Sequence, residues 1–429
     1  MSTISDPQPA AIHVSRPGFR AAHPWLVRWL GALTLLVSLA LIFGATALWH
    51  MFSPAANGSN GHGTAAPGQS EDIREHPWGK LACVPIVISP PLEFVPEIAP
   101  PMASEGVWRV PDISTARLTD YFTSLALPED VRSQLMAMAQ LDPTINGVAL
   151  RPPREFVLKL AAEDRAKLYV GLAQFPQNVD QVNAFRFHGT TLDEWFAHAR
   201  LAPQTRRLVD PLVYRHNGYL FFADLRSVEP DLASHAERLL LIKALSREVT
   251  FLVKLVVEEG ADVESLLSYW SRGGRAKDIR PILESLARVP GGERIDVIHL
   301  IPRFARARIY TYPQPPEKQP ALNRDCHWTS LNFFSAEPDD RFCQDAEVVR
   351  ALDQDYYRIY GNFQLGDLVV FFSGDRAIHS AVYIAEDILF TKNGNISSRP
   401  WMFCKLDDVR NYYPMAKPPE VRYYRRKDV

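Results

Sequence analysis

The sequence predicts an α+β protein: one transmembrane helix near the N-terminus, a mostly helical middle domain, and a C-terminal domain in which a helix packs on an antiparallel sheet. Three observations carry this prediction. Residues Trp29 to Trp49 contain no charge, the stretch from about Ile113 to Arg308 is mixed with helical spacing in the majority, and the last quarter of the chain shows one apolar-faced helix followed by short, continuously apolar strands. The 429 residues suffice for two to three domains at roughly 150 residues each. A composition of 47% hydrophobic and 22% charged residues supplies a sizeable core. A formal net charge of -2 offers no basic field, so no nucleic-acid partner is expected.

The N-terminal run WLGALTLLVSLALIFGATALW occupies residues 29–49, close to the ~20 apolar residues that cross a bilayer as a helix. Trp25 and Trp29 stand at one end and Trp49 at the other, where aromatic rings favour the interface. Arg16, Arg20 and Arg28 precede the run, and the next basic residue is Arg74. The positive-inside rule then makes 1–28 a cytoplasmic tail and exports the bulk, a single-pass arrangement with the C-terminal part extracytoplasmic. The alternative is a cleaved signal peptide ending at Ala45-Thr46-Ala47, which exports the remainder equally. Residues 50–104 read as a tether, rich in Gly, Ser and Asn over 53–77 and in Pro over 84–101, the latter extended and packed along a domain. Cys83, Cys326, Cys343 and Cys404 match neither a disulfide framework nor a zinc motif. No metal or cofactor is expected.

In the middle domain, 105–304, Pro128-Glu129-Asp130 opens a helix, Ala162 to Arg165 lies in a second, and Thr191-Leu192-Asp193-Glu194 has the form of a capping box. Asn217-Gly218 between two β-rich runs predicts a hairpin. His188, His198, His216 and His235 lack metal-ligand spacing and read as ordinary polar residues.

The chemistry lies in 305–429. Asp325-Cys326-His327-Trp328 places a Cys at the start of a helix, where the dipole favours a thiolate. Gly366-Asp367-Leu368-Val369-Val370-Phe371-Phe372 is a buried strand after a turn, and Ala377 to Ile384 is a second strand with His379 near its start. Glu386-Asp387 turns the chain into a third strand, Ile388 to Thr391, ending at Lys392-Asn393-Gly394. A helix carrying Cys326 against a sheet carrying His379 lets a base reach the sulfur, provided that His379 lies on the face toward the helix. Counting along the third strand puts Thr391 and Asn393 on one face as residues able to orient the imidazole, with Lys392 pointing the other way.

These segments resemble the NlpC-type branch of the papain-like cysteine peptidases, in which Asp-Cys-Ser-Gly, Gly-Asp-Leu-Val-x-Phe and His-Val-Gly-Ile-Tyr follow in that order. The matches are Asp325-Cys326, Gly366-Asp367-Leu368-Val369, and His379 with Tyr383, over roughly residues 305–415. The strings DCHWTSLNFF and FTKNG also resemble a bacterial family of membrane proteins with no assigned substrate. The resemblance implies a cysteine peptidase or amidase acting on cell-wall peptides through a thioester. Cys326 would be nucleophile and His379 base then acid. Thr391 or Asn393 would orient the imidazole, and the Cys326 N–H and Tyr312 would stand at the oxyanion. Asp325 and Trp328 would border the substrate. Two alternatives stay open: a non-catalytic scaffold of the cell envelope that kept the fold, and a papain-like acyltransferase. The pattern departs from the family where His327-Trp328 replaces Ser-Gly, which changes the mouth of the site.

Overall fold

A computed structural model describes residues 12–13, 76–99, 106–314, 324–394, 396–413 and 418–429, all within one compact unit. The expected fold class needs correction at its N-terminal end. No helix among the described residues is long and apolar enough to cross a membrane, and the run at 29–49 lies outside them. Strand β1 (Ile12–His13) pairs antiparallel with Ala377 and Arg376.

Over 106–304 the helices are accompanied by three small sheets. The first joins β2 (Lys80–Ile88), β9 (Glu248–Val257) and β10 (Glu293–Asp296) in the order β10-β9-β2. β2 comes from the stretch expected as tether, and all nine of its residues are in register with β9, from Lys80↔Val256 to Ile88↔Glu248. Pro85 is tolerated because β2 lies at the sheet's edge. The second sheet holds β3 (Trp108–Val110), β4 (Ala139–Asp142) and β5 (Gly147–Leu150), and the third holds β6 (Phe185–His188), β7 (Tyr214–His216) and β8 (Tyr219–Phe222). The β7–β8 hairpin turns through Asn217 and Gly218 at φ 48° and 82°, as the Asn-Gly signal requires. Thr191 Oγ1 caps its helix by accepting from the Glu194 N–H at 3.1 Å.

The main helices are α1 (Ala162–Leu172), α2 (His235–Leu245), α3 (Val263–Trp270) and α4 (Ala276–Ala287). α3, α4 and β9 share one apolar cluster with residues from beyond 305, including Trp328, Phe333, Phe390 and Phe403. Thr250 of β9 reinforces this contact by exchanging hydrogen bonds with the Phe403 backbone, accepting from its N–H and donating to its carbonyl.

The C-terminal sheet has seven strands: β1 beside β13, and the order β11-β16-β12-β13-β14-β15. These are β11 (Tyr356–Ile359), β12 (Leu368–Ser373), β13 (Arg376–Ala385), β14 (Ile388–Lys392), β15 (Trp401–Lys405) and β16 (Glu420–Arg426). Its two faces sort by the two-residue period of a strand. Leu368, Val370 and Phe372 pack toward α5 (Cys326–Leu331) and α6 (Asp345–Asp355), and Val382, Ile384 and Phe390 join Trp328 on the same side. Val369, Phe371, Ala381, Tyr383 and Leu389 pack on the other side with Val409 of α7 (Leu406–Tyr412).

The Gly366-Asp367 pair is explained by architecture. Gly366 sits at φ 90°, and a Cβ there would lie 2.2 Å from the Phe334 ring, so only glycine fits. The buried Asp367 carboxylate receives both Arg425 nitrogens at 2.8 Å and anchors β16 to the β12 turn. A second buried pair, Arg399 with Glu248, fastens the segment after β14 to β9.

Candidate active site

Cys326 is the first residue of α5 and is buried, as is every residue of that short helix. Asp325 caps it, its Oδ1 accepting from the N–H groups of His327 and Trp328 at 2.8 and 3.0 Å. The Cys326 sulfur meets the N–H groups of Ser380 and His327, with the Lys392 ammonium also favouring its charge. Burial and the Asp325 carboxylate outweigh these, and the thiol is pushed up from its usual value. The expectation of a thiolate made acidic by the helix start is therefore corrected: desolvation wins at a residue 1% exposed.

His379 is on β13 and fully buried. Ser380, next to it, lies beneath α5: its hydroxyl donates to the Cys326 carbonyl at 3.3 Å and contacts Ser330 Oγ at 3.1 Å and His327 Nδ1 at 2.9 Å. Successive strand residues point to opposite faces. The His379 ring accordingly points to the side away from the body of α5, among Phe371, Thr391 and Tyr413. This corrects the expectation that His379 faces the helix. The β13–β14 ladder reaches only Val382↔Phe390 in this direction. The Cys326 sulfur meets β13 through the Ser380 N–H.

Both imidazole nitrogens are engaged, and no hydrogen bond joins His379 to Cys326 among the described residues. Nε2 is 2.9 Å from Thr391 Oγ1 and Nδ1 is 2.8 Å from the Tyr413 hydroxyl. The Thr391 hydroxyl donates its single hydrogen to the Ser380 carbonyl at 3.2 Å. Toward the ring it can then only accept, which assigns the proton to Nε2 and leaves Nδ1 as the basic nitrogen. Burial, with the neighbouring His327, holds the His379 pKa well below the usual imidazole value, so the ring is neutral. Burial raises the Tyr413 phenol, and ionisation of the Cys326 sulfur would raise it further.

The remaining sequence expectations divide cleanly. Thr391 meets His379; Asn393 instead lies against the Cys404 thiol, with its Oδ1 unpartnered. Tyr312 is absent from the site, its hydroxyl donating to the Ser246 carbonyl at 2.8 Å. Trp328 does not border a mouth: its ring is wholly buried and its Nε1 donates to Asp340 at 2.9 Å. A cavity of about 250 Å³ lies in the middle region among Trp108, Arg154, Gln181 and Asp224, and Cys326 and His379 do not line it. All four cysteines are free thiols.

No protein-family model, curated protein or solved structure matches the chain.

Two residues that sequence reasoning passed over belong to the site. Tyr413 follows α7 with no motif around it. Lys392 is 1% exposed, and its Nζ donates to the carbonyls of Gly394 and Ile396 at 2.7 and 3.1 Å. Burial pulls its pKa down to about 8 against the opposing pull of Asp325 and Cys326. Its place beside the cysteine follows from strand parity, which had set it opposite Thr391.

Proposed function

We propose that the chain is a cysteine hydrolase of the peptidase or amidase class, held in a closed arrangement, with Cys326 as nucleophile and His379 as base then acid. The observation that carries the reading is the contact of Thr391 Oγ1 with His379 Nε2 at 2.9 Å. It fixes the ring so that the basic Nδ1 is turned toward the Tyr413 hydroxyl, 2.8 Å away. A neutral imidazole and a neutral thiol are the resting forms from which proton transfer would generate the nucleophile. Sγ then attacks the scissile carbonyl, the amine leaves with the proton from Nδ1, and water hydrolyses the thioester. The Cys326 N–H, which Asp325 leaves untaken, is the donor for the oxyanion. Peptide of the cell wall is the substrate class implied by the NlpC resemblance.

The scaffold reading is favoured by different observations: Cys326 and His379 are 1% and 0% exposed, and the His379 ring lies on the face of the sheet away from the body of α5. Iodoacetamide labelling of the native chain decides between the two. A hydrolase alkylates at Cys326 ahead of the equally buried Cys404, and His379→Gln slows that reaction by about 100-fold, the lower side of what a positioned base contributes. Cys326 that labels only in denaturant, together with cell-wall peptide turnover unaltered in Cys326→Ala, would establish a structural thiol.

A further inference from the structure

We propose that Tyr413 is the cap on the base: its hydroxyl occupies Nδ1 of His379 and must leave before that nitrogen can take the Cys326 proton. The inference rests on the reading that Cys326 and His379 act together. It concerns a residue outside the Cys, His and Thr of the sequence motifs.

The Thr391 hydroxyl donates to the Ser380 carbonyl and accepts from Nε2–H, so the only lone pair on the ring is at Nδ1. The Tyr413 hydroxyl is 2.8 Å from it and donates. A nitrogen that already accepts a phenolic proton cannot accept a thiol proton on the same lone pair. The phenol is a poor acid here, since burial holds its pKa well above the ordinary value, so it remains a donor rather than becoming a base in its own right. The ring is held from two sides, at 5.3 Å from the Tyr412 ring and 5.6 Å from the imidazole. Those contacts belong to the aromatic ring and survive loss of the hydroxyl. The cap is thus a single hydrogen bond on a ring that is otherwise packed.

With the hydroxyl turned away, the sequence of events balances. The Sγ–H proton passes to Nδ1. The sulfur then attacks an electrophilic carbon. With iodoacetamide the S–C bond forms, C–I breaks and iodide departs, while the imidazolium keeps the proton.

The test is the alkylation rate at Cys326 in the full chain, read by peptide mapping, for wild type, Tyr413→Phe, His379→Gln and the double variant. Removing one hydrogen bond of ordinary net strength from Nδ1 raises the rate by roughly 3–10-fold. His379→Gln abolishes that gain in the double variant. Cys404, buried on the same side of the sheet, serves as the internal control for loosening. A rise at Cys326 with Cys404 unchanged, and lost with His379, supports the cap. An unchanged or slower rate in Tyr413→Phe overturns it, as does an equal rise at Cys404. If His379→Gln has no effect with either residue at 413, the hydrolase reading itself fails. If His379 matters and Tyr413→Phe does not accelerate, only the cap fails.

Discussion

Lys392 offers the most direct measurement of the site's electrostatics. Its ammonium is 1% exposed, and burial takes its pKa from 10.5 down to about 8. At about 1.4 kcal/mol per tenfold, holding the charge inside the fold costs roughly 3 kcal/mol relative to the neutral amine. The sign follows from linkage. A base with a depressed folded pKa binds fewer protons folded than unfolded between 8 and 10.5, so its contribution to stability rises with pH in that window. Integrated from pH 8 to 9.5, the gain is about 1.5 kcal/mol. The buried thiols Cys326 and Cys404 and the half-buried Cys343 pull in the opposite direction there, because their pKa values are raised and the unfolded chain ionises first. Comparison with Lys392→Met cancels them. Urea unfolding at pH 8.0 and 9.5 should show wild type gaining about 1.5 kcal/mol on the variant across the interval. A difference that stays flat would mean that Nζ keeps an ordinary pKa and that the ammonium is hydrated rather than sealed against Gly394 and Ile396. The same variant should slow alkylation of Cys326, which loses the one neighbouring ammonium that favours its thiolate.

Thr391→Val keeps shape and β-branching while removing the acceptor of Nε2–H, so Cys326 alkylation should fall by about 10-fold with the fold intact by circular dichroism. An unchanged rate would remove Thr391 from the mechanism. Arg399→Met leaves Glu248 buried without its cation, and urea unfolding should show a loss of about 3–5 kcal/mol, where an exposed pair would lose under about 1.

What the sequence disclosed of this fold was whatever a local pattern can carry. Asn217-Gly218 specified a hairpin because only left-handed residues turn two strands so tightly, and Thr391 was placed beside His379 by strand counting alone. The errors lie where a face or a partner had to be chosen. His379, Ala381 and Tyr383 share one side of β13 as the two-residue period requires, yet the strand is buried on both sides: Ser380, Val382 and Ile384 are as enclosed as their neighbours. A strand without an exposed face contains no signal for which face meets the helix. A bulge between Phe371 and Phe372 adds one residue on β13 just before His379, which counting along that strand alone cannot reveal. Tyr413 reaches the ring from α7, 34 residues later, through tertiary packing that no spacing encodes. The helix-start argument for an acidic thiol failed for a related reason: the dipole effect is a surface magnitude of about 0.3–1 kcal/mol, and full burial of an anion costs several times more. Position in a motif therefore singled out Cys326 and His379, whereas their resting protonation follows from burial.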